Sequence, residues 1–338
     1  MARSVLPPYI LDLLRPESYP HRVDEVTLVQ THISYLLFAG DFVYKWKKPV
    51  NFGFVDFSTR RRRRFFCEEE VRLNRRLCGE MYRGVVQVKK AGERYLLNGP
   101  GEGGEYGVKM RRLPLALMMD HLIADNRLGE HHLEKVVDRL VAFYRVAEIM
   151  PASSGYGSAG SVRKMIDDNF QETGPYIGGP ALARQRFANI SRYTASFLAD
   201  SGIFERRAAS GRVRDCHGDL HSANICLTDD VTIFDCIEFN PSLRCTDIAA
   251  DVAFLAMDLD FHGLGELSHL FIRRCIDCTG DEGLLEVLNF YKCYRAYVRG
   301  KVGLLTAAGA GADRAAAARA MAVAERYFRL AEEYSLRQ

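Results

Sequence analysis

The spacing of apolar and polar positions changes character near residue 114. From Glu25 the period is two: V-T-L-V-Q-T-H-I-S-Y-L-L-F, a turn at Ala39-Gly40-Asp41, then F-V-Y-K-W-K predict two or three antiparallel strands. Ser58 to Cys78 takes a helical period, with Phe66, Leu73 and Leu77 as its apolar stripe. Gly84 to Lys90, Arg94 to Asn98 and Tyr106 to Leu113 are strand-like again, with the loop Gly99 to Gly104 before the last. From Pro114 onward the period is helical: Leu133 to Ile149 is amphipathic, Ala181 to Ala209 predicts one or two helices, and Leu284 to Leu304 and an Ala-rich stretch from Asp313 predict two more. Pro151 to Ser161 and Gly174 to Pro180 read as breaks, the first a small-residue loop. Residues 1–24, with Pro7, Pro8, Pro16 and Pro20, read as a short helix and an arm. The pattern predicts an α+β chain: an arm at 1–24, a small antiparallel-sheet lobe at 25–113 and a mostly helical lobe at 114–338.

One stretch between helical regions reads differently. His217-Gly218-Asp219 is followed, five positions after the Asp, by Asn224; the β-type runs Ile225 to Leu227 and Val231 to Phe234 come next, and Asp235 ends the second. Thr228-Asp229-Asp230 has turn composition, so the runs predict a hairpin that returns Asp235 to the side of Asn224. An amide oxygen and a carboxylate at a sheet end suit Mg²⁺, a hard cation that keeps waters and is completed by substrate phosphates. Asp219, on the loop entering the hairpin, has the placement of a general base. H-x-D-x-x-x-x-N followed by a strand-terminal Asp is the catalytic-loop and metal-Asp spacing of protein kinases.

On the helix at 58–78, Glu70 falls roughly 40° from the centre of the apolar stripe, Glu69 roughly 60° to the other side, and Glu68 nearly opposite. Glu70 is therefore the acid expected to face inward. The five arginines Arg60 to Arg64 point in all directions on a helix and have acids within i,i+4 reach, so they predict a solvated face and no nucleic-acid stripe. The acids Asp247, Asp251 and Asp258 share a later helix. Asp247 is expected to be structural, while Asp251 and Asp258 stay open between anchoring the loop at 217–224 and binding a cationic or hydroxyl-rich acceptor.

Composition narrows the classes. At 338 residues, 48% hydrophobic and 26% charged, the chain can bury a full core in two lobes. A net charge of +3 gives no long-range attraction for nucleic acid or a membrane, and no run of about 18 apolar residues occurs. The chain reads as cytoplasmic and unanchored. Nine scattered cysteines do not form a secreted disulfide framework, and Cys275-x-x-Cys278, without a second ligand pair, reads as helix thiols. The P-loop pattern G-x-x-x-x-G-K-[ST] is absent.

With Gly218 where protein kinases carry Arg, and His221 inside the motif, H-G-D-L-H-S-A-N resembles the aminoglycoside phosphotransferase and choline kinase branch of the kinase-like superfamily. T-H-I-S, Y-K-W-K-K-P-V-N-F-G-F-V-D-F-S-T, C-E-E-E-V-R-L-N-R-R-L and D-C-I-E-F-N-P-S-L-R-C-T-D-I-A-A-D-V-A-F-L-A-M-D-L are similar to a bacterial group of that family in which this module often precedes a P-loop kinase domain. The resemblance implies a two-lobed protein-kinase-like fold and ATP-dependent phosphorylation of a small-molecule hydroxyl, with Asp219 as base and Mg²⁺ held by Asn224 and Asp235. It further implies Lys45, with Lys47 as the alternative, on the ATP phosphates and paired with Glu70, and Met110 lining an adenine pocket at the strand before the helical lobe. His221 either orients the loop or approaches the acceptor. The chain is expected to be the module alone, with any P-loop kinase a separate partner. Two other readings stay open: a metal-dependent hydrolase using His217, Asp219 and His221 as ligands, and a nucleotide-binding regulator without turnover.

Overall fold

The computed structural model describes residues 6–101 and 103–337; Met1 to Val5 of the expected arm, Glu102 of the Gly99–Gly104 loop and Gln338 lie outside them. The chain forms two compact units, one of Met1–Met118 with Thr228–Asn240, the other of Met119–Leu227 with Pro241–Gln338.

The first unit is a six-stranded antiparallel sheet with a helix on each face. In chain order its elements are α1 (Pro8–Leu13), β1 (Val26–Gln30), β2 (Ser34–Ala39), β3 (Phe42–Lys47), α2 (Arg60–Cys78), β4 (Tyr82–Ala91), β5 (Arg94–Leu97) and β6 (Glu105–Arg111). The spatial order β1-β2-β3-β6-β4-β5 places β3 and β6 at the centre. Alternation sends Tyr35, Leu37, Tyr44 and Trp46 to one face, where Ile10 and Leu13 of α1 close the core. The expected arm thus packs on this face of the sheet, and Asp12 Oδ2 ties it down by accepting from Tyr95 N of β5 at 2.9 Å. Gly107 of β6 opposes Trp46, and a Cβ there would stand 2.7 Å from the indole, so only glycine lets the strand run beneath that ring.

The other face carries Val43, Val108 and Met110 against Cys67 and Val71 of α2. Thr59 caps that helix by accepting from Arg62 N. The arginine run departs from its expected solvated face at one position. Arg63 is buried, donates through Nε to Glu105 at 2.9 Å and through Nη1 to Phe57 O at 2.8 Å, while Arg64 pairs with Glu68 in the solvent. A period of 3.6 turns one residue in five toward the sheet, and Glu105, distant in sequence, supplies its charge.

The second unit is helical: α3 (Met119–Ala124), α4 (Glu130–Val146), α5 (Ala159–Thr173), α6 (Arg184–Phe197), α7 (Gly202–Ala209), the short strand β7 (Val213–Asp215), α8 (Pro241–Arg244), α9 (Ile248–Phe261), α10 (Gly265–Thr279), α11 (Leu284–Gly309) and α12 (Arg314–Leu336). Every residue of α9 from Ile248 to Leu259 is buried, as an apolar-all-round helix must be, and Phe254 and Met257 pack with Tyr297 of α11 and Phe328 of α12. β7 pairs antiparallel with Cys245–Asp247, which delivers the chain into α9. The small-residue stretch 151–161 is ordered into a short 3₁₀ turn and the start of α5, capped by Ser158. Among the described residues no helix is long and apolar enough to cross a membrane. The nine cysteines are free thiols, and Cys275 is buried in α10.

Asp247 is structural. It caps α9 by accepting from Ala249 N at 2.8 Å and meets Arg207 of α7, which also donates to Asp281 at 3.0 and 2.9 Å. All three are buried. Removing one member of such a group leaves uncompensated charge in a low dielectric. Arg207→Ala is therefore expected to cost about 3–5 kcal/mol of unfolding free energy, read from urea denaturation. A loss under about 1 kcal/mol would show that Arg207 contributes no more than a surface pair does.

Candidate active site

Each unit assembles part of the expected site. In the first, adjacent sheet positions two apart send both Lys45 and Lys47 from β3 toward α2. Glu70, completely buried on α2, stands between them: Oε1 is 2.8 Å from Lys45 Nζ and Oε2 is 2.6 Å from Lys47 Nζ. Lys45 also meets Asp235 Oδ1 at 2.6 Å, and Lys47 also bonds Glu238. Lys47 is sealed, with the Phe57 ring 4.8 Å from its Nζ, whereas Lys45 keeps 12% of its side chain open. Of the two candidate lysines, Lys45 is thus the one with access to a ligand.

The charges in this group do not balance. Two ammonium groups face the carboxylates of Glu70, Glu238 and Asp235, which leaves one negative charge over. Burial alone would push both ammonium groups down; Asp235, Glu70 and Glu238 pull Lys45 well above its usual range, and Glu238 and Glu70 do the same for Lys47. Burial raises the Glu70 carboxyl, yet the two lysines more than reverse this and bring it to about 2. Glu238 moves the other way, raised by burial and by Glu70 against the pull of Lys47. The Asp235 side chain, 43% exposed, is the open member of the group, and its backbone is held at φ +62°, where non-glycine residues are uncommon. An oxygen ligand beside a surplus negative charge fits a hard divalent cation.

Asn74 and Glu238 are functional neighbours that sequence reasoning missed. Asn74 lies one turn from Glu70, donates to Glu70 O at 2.9 Å, and accepts from Cys236 N at 2.9 Å. With Lys47–Glu238 it fixes the segment that carries Asp235. The available signal was the i,i+4 spacing of Glu70 and Asn74 on one helix face. Met110, on β6, is buried with Val43, Cys67 and Phe234 packed around it.

In the second unit Asp219, His221 and Asn224 come together. Asn224 Nδ2 donates to Asp219 O at 3.0 Å and to Asp219 Oδ2 at 3.2 Å, and His221 Nε2 lies 3.5 Å from the same Oδ2. That amide orientation spends the Asn224 nitrogen on Asp219 and leaves the oxygen as the acceptor end of the side chain. Asn224 belongs to the second unit and Asp235 to the first. The strand-like runs beside them shorten to Ile225–Cys226 and Thr232–Ile233. Burial raises the Asp219 carboxyl, but the His221 imidazole, Arg299 and His217 hold it well below the usual carboxylate range, so it is ionised at neutral pH.

The loop itself is held by α9. Asp251, fully buried, accepts from His217 N at 2.8 Å and Gly218 N at 2.9 Å; Asp258, two turns on, accepts from Ser222 N at 2.9 Å. Gly218 has φ +86°, a conformation that a side chain would strain, and this turns its amide toward Asp251. Both aspartates that the sequence left open are therefore loop anchors. Among the described residues no three His, Cys, Asp or Glu side chains group to hold a metal ion. The three-ligand set His217, Asp219, His221 of the hydrolase reading does not form, and His217 Nδ1 lies 3.2 Å from the Asp219 amide it accepts from.

The sequence matches no protein-family model. Uncharacterized proteins of Mycobacterium tuberculosis (Rv2004c) and Mycobacterium bovis (Mb2027c) are each 30% identical over 279 residues, 81% of this chain and 53% of theirs. The chain spans about half the length of the curated relatives it matches. Among solved structures, the GDP complex of aminoglycoside 2′-phosphotransferase-IIIa aligns with a TM-score of 0.58 at 15% identity, over 96% of this chain and 99% of that one. The GDP and kanamycin complex of APH(2″)-IIIa aligns with a TM-score of 0.56 at 14% identity, over 94% and 98%. The chain has the fold of these phosphotransferases, the two-lobed kinase-like α+β fold expected from its sequence.

Two measurements test this geometry. Because the folded Glu70 carboxyl is depressed from 4.5 to about 2, its contribution to stability is full above pH 4.5 and is lost as pH falls toward 2. The stability difference between wild type and Glu70→Gln should shrink over that window in urea denaturation; a constant difference would contradict the depressed carboxyl. Asp251→Asn should speed hydrogen exchange at the His217 and Gly218 amides roughly 10- to 100-fold, consistent with about 1–3 kcal/mol for a buried bond, while Ser222, held by Asp258, changes less. Equal change at all three would mean that Asp251 acts on the whole fold.

Proposed function

We propose that the chain is an ATP-dependent phosphotransferase acting on a hydroxyl of a small molecule. The observation that carries this reading is Lys45 on the central strand, held between Glu70 of α2 and the carboxylate of Asp235. A strand lysine fixed by a helix glutamate, next to a metal-type aspartate, is what positions nucleotide phosphates in kinase-like sites. The fold, and the nucleotides and kanamycin named for its structural neighbours, support the same class.

In the proposed reaction the acceptor hydroxyl gives its proton to Asp219. Its oxygen forms a bond to the γ-phosphorus of ATP as the bond from that phosphorus to the bridging oxygen breaks, and the electron pair leaves on ADP. Lys45 orients the phosphates, and Glu70 keeps Lys45 extended and charged. Asn224 keeps the Asp219 carboxylate aimed through its Nδ2 bond, and Asn224 and Asp235 are the residues that would hold Mg²⁺. When bound, Mg²⁺ supplies neutralisation of charge on the phosphate oxygens. His221, 3.5 Å from the base and packed against Phe254, orients the loop. Met110 is assigned to the nucleotide side of the site. Positioning and charge stabilisation provide the rate, since phosphoryl transfer leaves little covalent chemistry to the protein.

The test is ATP and GTP consumption across a panel of hydroxyl compounds. Asp219→Asn should lower kcat about 10²- to 10⁴-fold with the nucleotide KM little changed, and Lys45→Met should raise that KM. Turnover unaltered by Asp219→Asn would remove it as the base. Nucleotide binding without turnover on any acceptor would favour a regulator.

A further inference from the structure

Three phenylalanines of the first unit are exposed, Phe52 by 50%, Phe54 by 38% and Phe65 by 54%, and one run of ring contacts joins them. Phe52 stacks on Phe54 with 6.2 Å between centroids. Phe54 then meets Phe239, Phe239 meets Phe57, Phe57 meets Phe66, and Phe66 meets Phe65, at 6.2, 6.3, 5.3 and 5.2 Å. Single apolar residues scattered over a surface need no explanation; a connected set of exposed rings does.

The chain is braced to hold two of these rings outward. Between β3 and α2 it makes a small hairpin with Asn51 opposite Asp56, closed by Phe52 N donating to Val55 O at 3.0 Å and Phe57 N to Val50 O at 2.8 Å. Val55 and Phe57 are buried, whereas Phe52 and Phe54 are exposed. Asp56 fixes the base of the hairpin: it accepts from Asn51 Nδ2 at 3.3 Å, from Ser58 N at 3.0 Å and from Ser58 Oγ at 2.6 Å, and it pairs with Arg62. Gly53, between the two rings at φ +81°, stands in open space, with nothing within 4 Å of an added Cβ. The rings therefore sit on a protruding tip and not over a pocket.

α2 starts beside this tip, and its charge is unusual. The first turn holds no acid and begins the run Arg60–Arg64, of which all but Arg63 are exposed. Arg62, Arg63 and Arg64 pair with Asp56, Glu105 and Glu68. Arg60 and Arg61 make no ion pair among the described residues; Arg60 lies 5.1 Å from the Tyr106 ring. Arg61 is one turn from Phe65 on the same helix face. Cations at a helix amino terminus oppose the macrodipole, a cost that a negative partner outside the chain would offset. The small net charge of +3 over the whole chain hides this local surplus.

We propose that this face docks on an anionic lipid bilayer, with Phe52 and Phe54 entering the boundary between headgroups and acyl chains and Arg60 and Arg61 on lipid phosphates. Exposed rings flanked by basic residues are the composition of interfacial membrane binding, which takes two weak signals together. A second copy of the chain is disfavoured, because an isologous contact through this face brings its arginines against their own kind. Nucleic acid is disfavoured by number, since affinity there grows with many neutralised phosphates and two arginines supply few. Docking of this kind is independent of the phosphotransferase reading.

The test is sedimentation of the full chain with vesicles of phosphatidylcholine alone and of phosphatidylcholine with one third phosphatidylglycerol. Wild type should partition roughly tenfold more strongly onto the anionic vesicles, and high salt should weaken it. Phe52→Ser combined with Phe54→Ser should lose about tenfold, and Arg61→Gln roughly fivefold. Near-ultraviolet circular dichroism reports folding of each variant. Phe52→Trp gives a second readout, a blue shift of its emission on anionic vesicles and none on neutral ones. No partitioning of wild type, partitioning unaltered in the phenylalanine variant, or an unshifted tryptophan overturns the proposal. So does self-association in sedimentation velocity, or binding to a single-stranded oligonucleotide, that depends on Phe52 and Phe54 while the vesicles stay bare.

Discussion

A carboxylate locked between two ammonium groups is the constraint on which the first unit depends. Glu70 can be fully buried as an anion only because Lys45 and Lys47 reach it from β3. The same requirement draws in the segment at 235–238, since each lysine needs a second acid and finds it in Asp235 or Glu238. Sheet, helix and a stretch of chain more than 150 residues away in sequence are tied by charge rather than by apolar packing alone. The most open member of the group is the Asp235 carboxylate.

The second unit solves a different problem. The loop at 217–222 has almost no regular structure, and its amides must find acceptors or pay a desolvation penalty. α9 supplies them from carboxylates spaced seven residues apart, which puts Asp251 and Asp258 on one face at the two ends of the loop. Asp219 is thus presented by a backbone that is pinned on both sides.

Much of this was legible from pattern. The change of period near residue 114 separated sheet from helices, and the stripe on α2 singled out Glu70 from its acidic neighbours Glu68 and Glu69. The structure has Glu70 buried, with Glu68 in the solvent. Arg63 was misread because a run of identical residues carries no phase, and its partner Glu105 lies on another strand. Asp251 and Asp258 could be placed on one helix face but not assigned, because helix spacing says nothing about what the face meets. Asn74 and Glu238 were passed over for the same reason.

The sequence by itself determined which residues share a strand, a helix face or a loop, because those relations depend on periods of two and 3.6 and on turn chemistry. It therefore determined the α+β organisation and the short roll of acids, amides and lysines able to do chemistry. Tertiary structure alone decided which charges are compensated. Pairing energies in a low dielectric fall with distance and rise with burial, and neither quantity exists until distant segments are packed together. Lys45 became the accessible lysine and Lys47 the sealed one only at that stage.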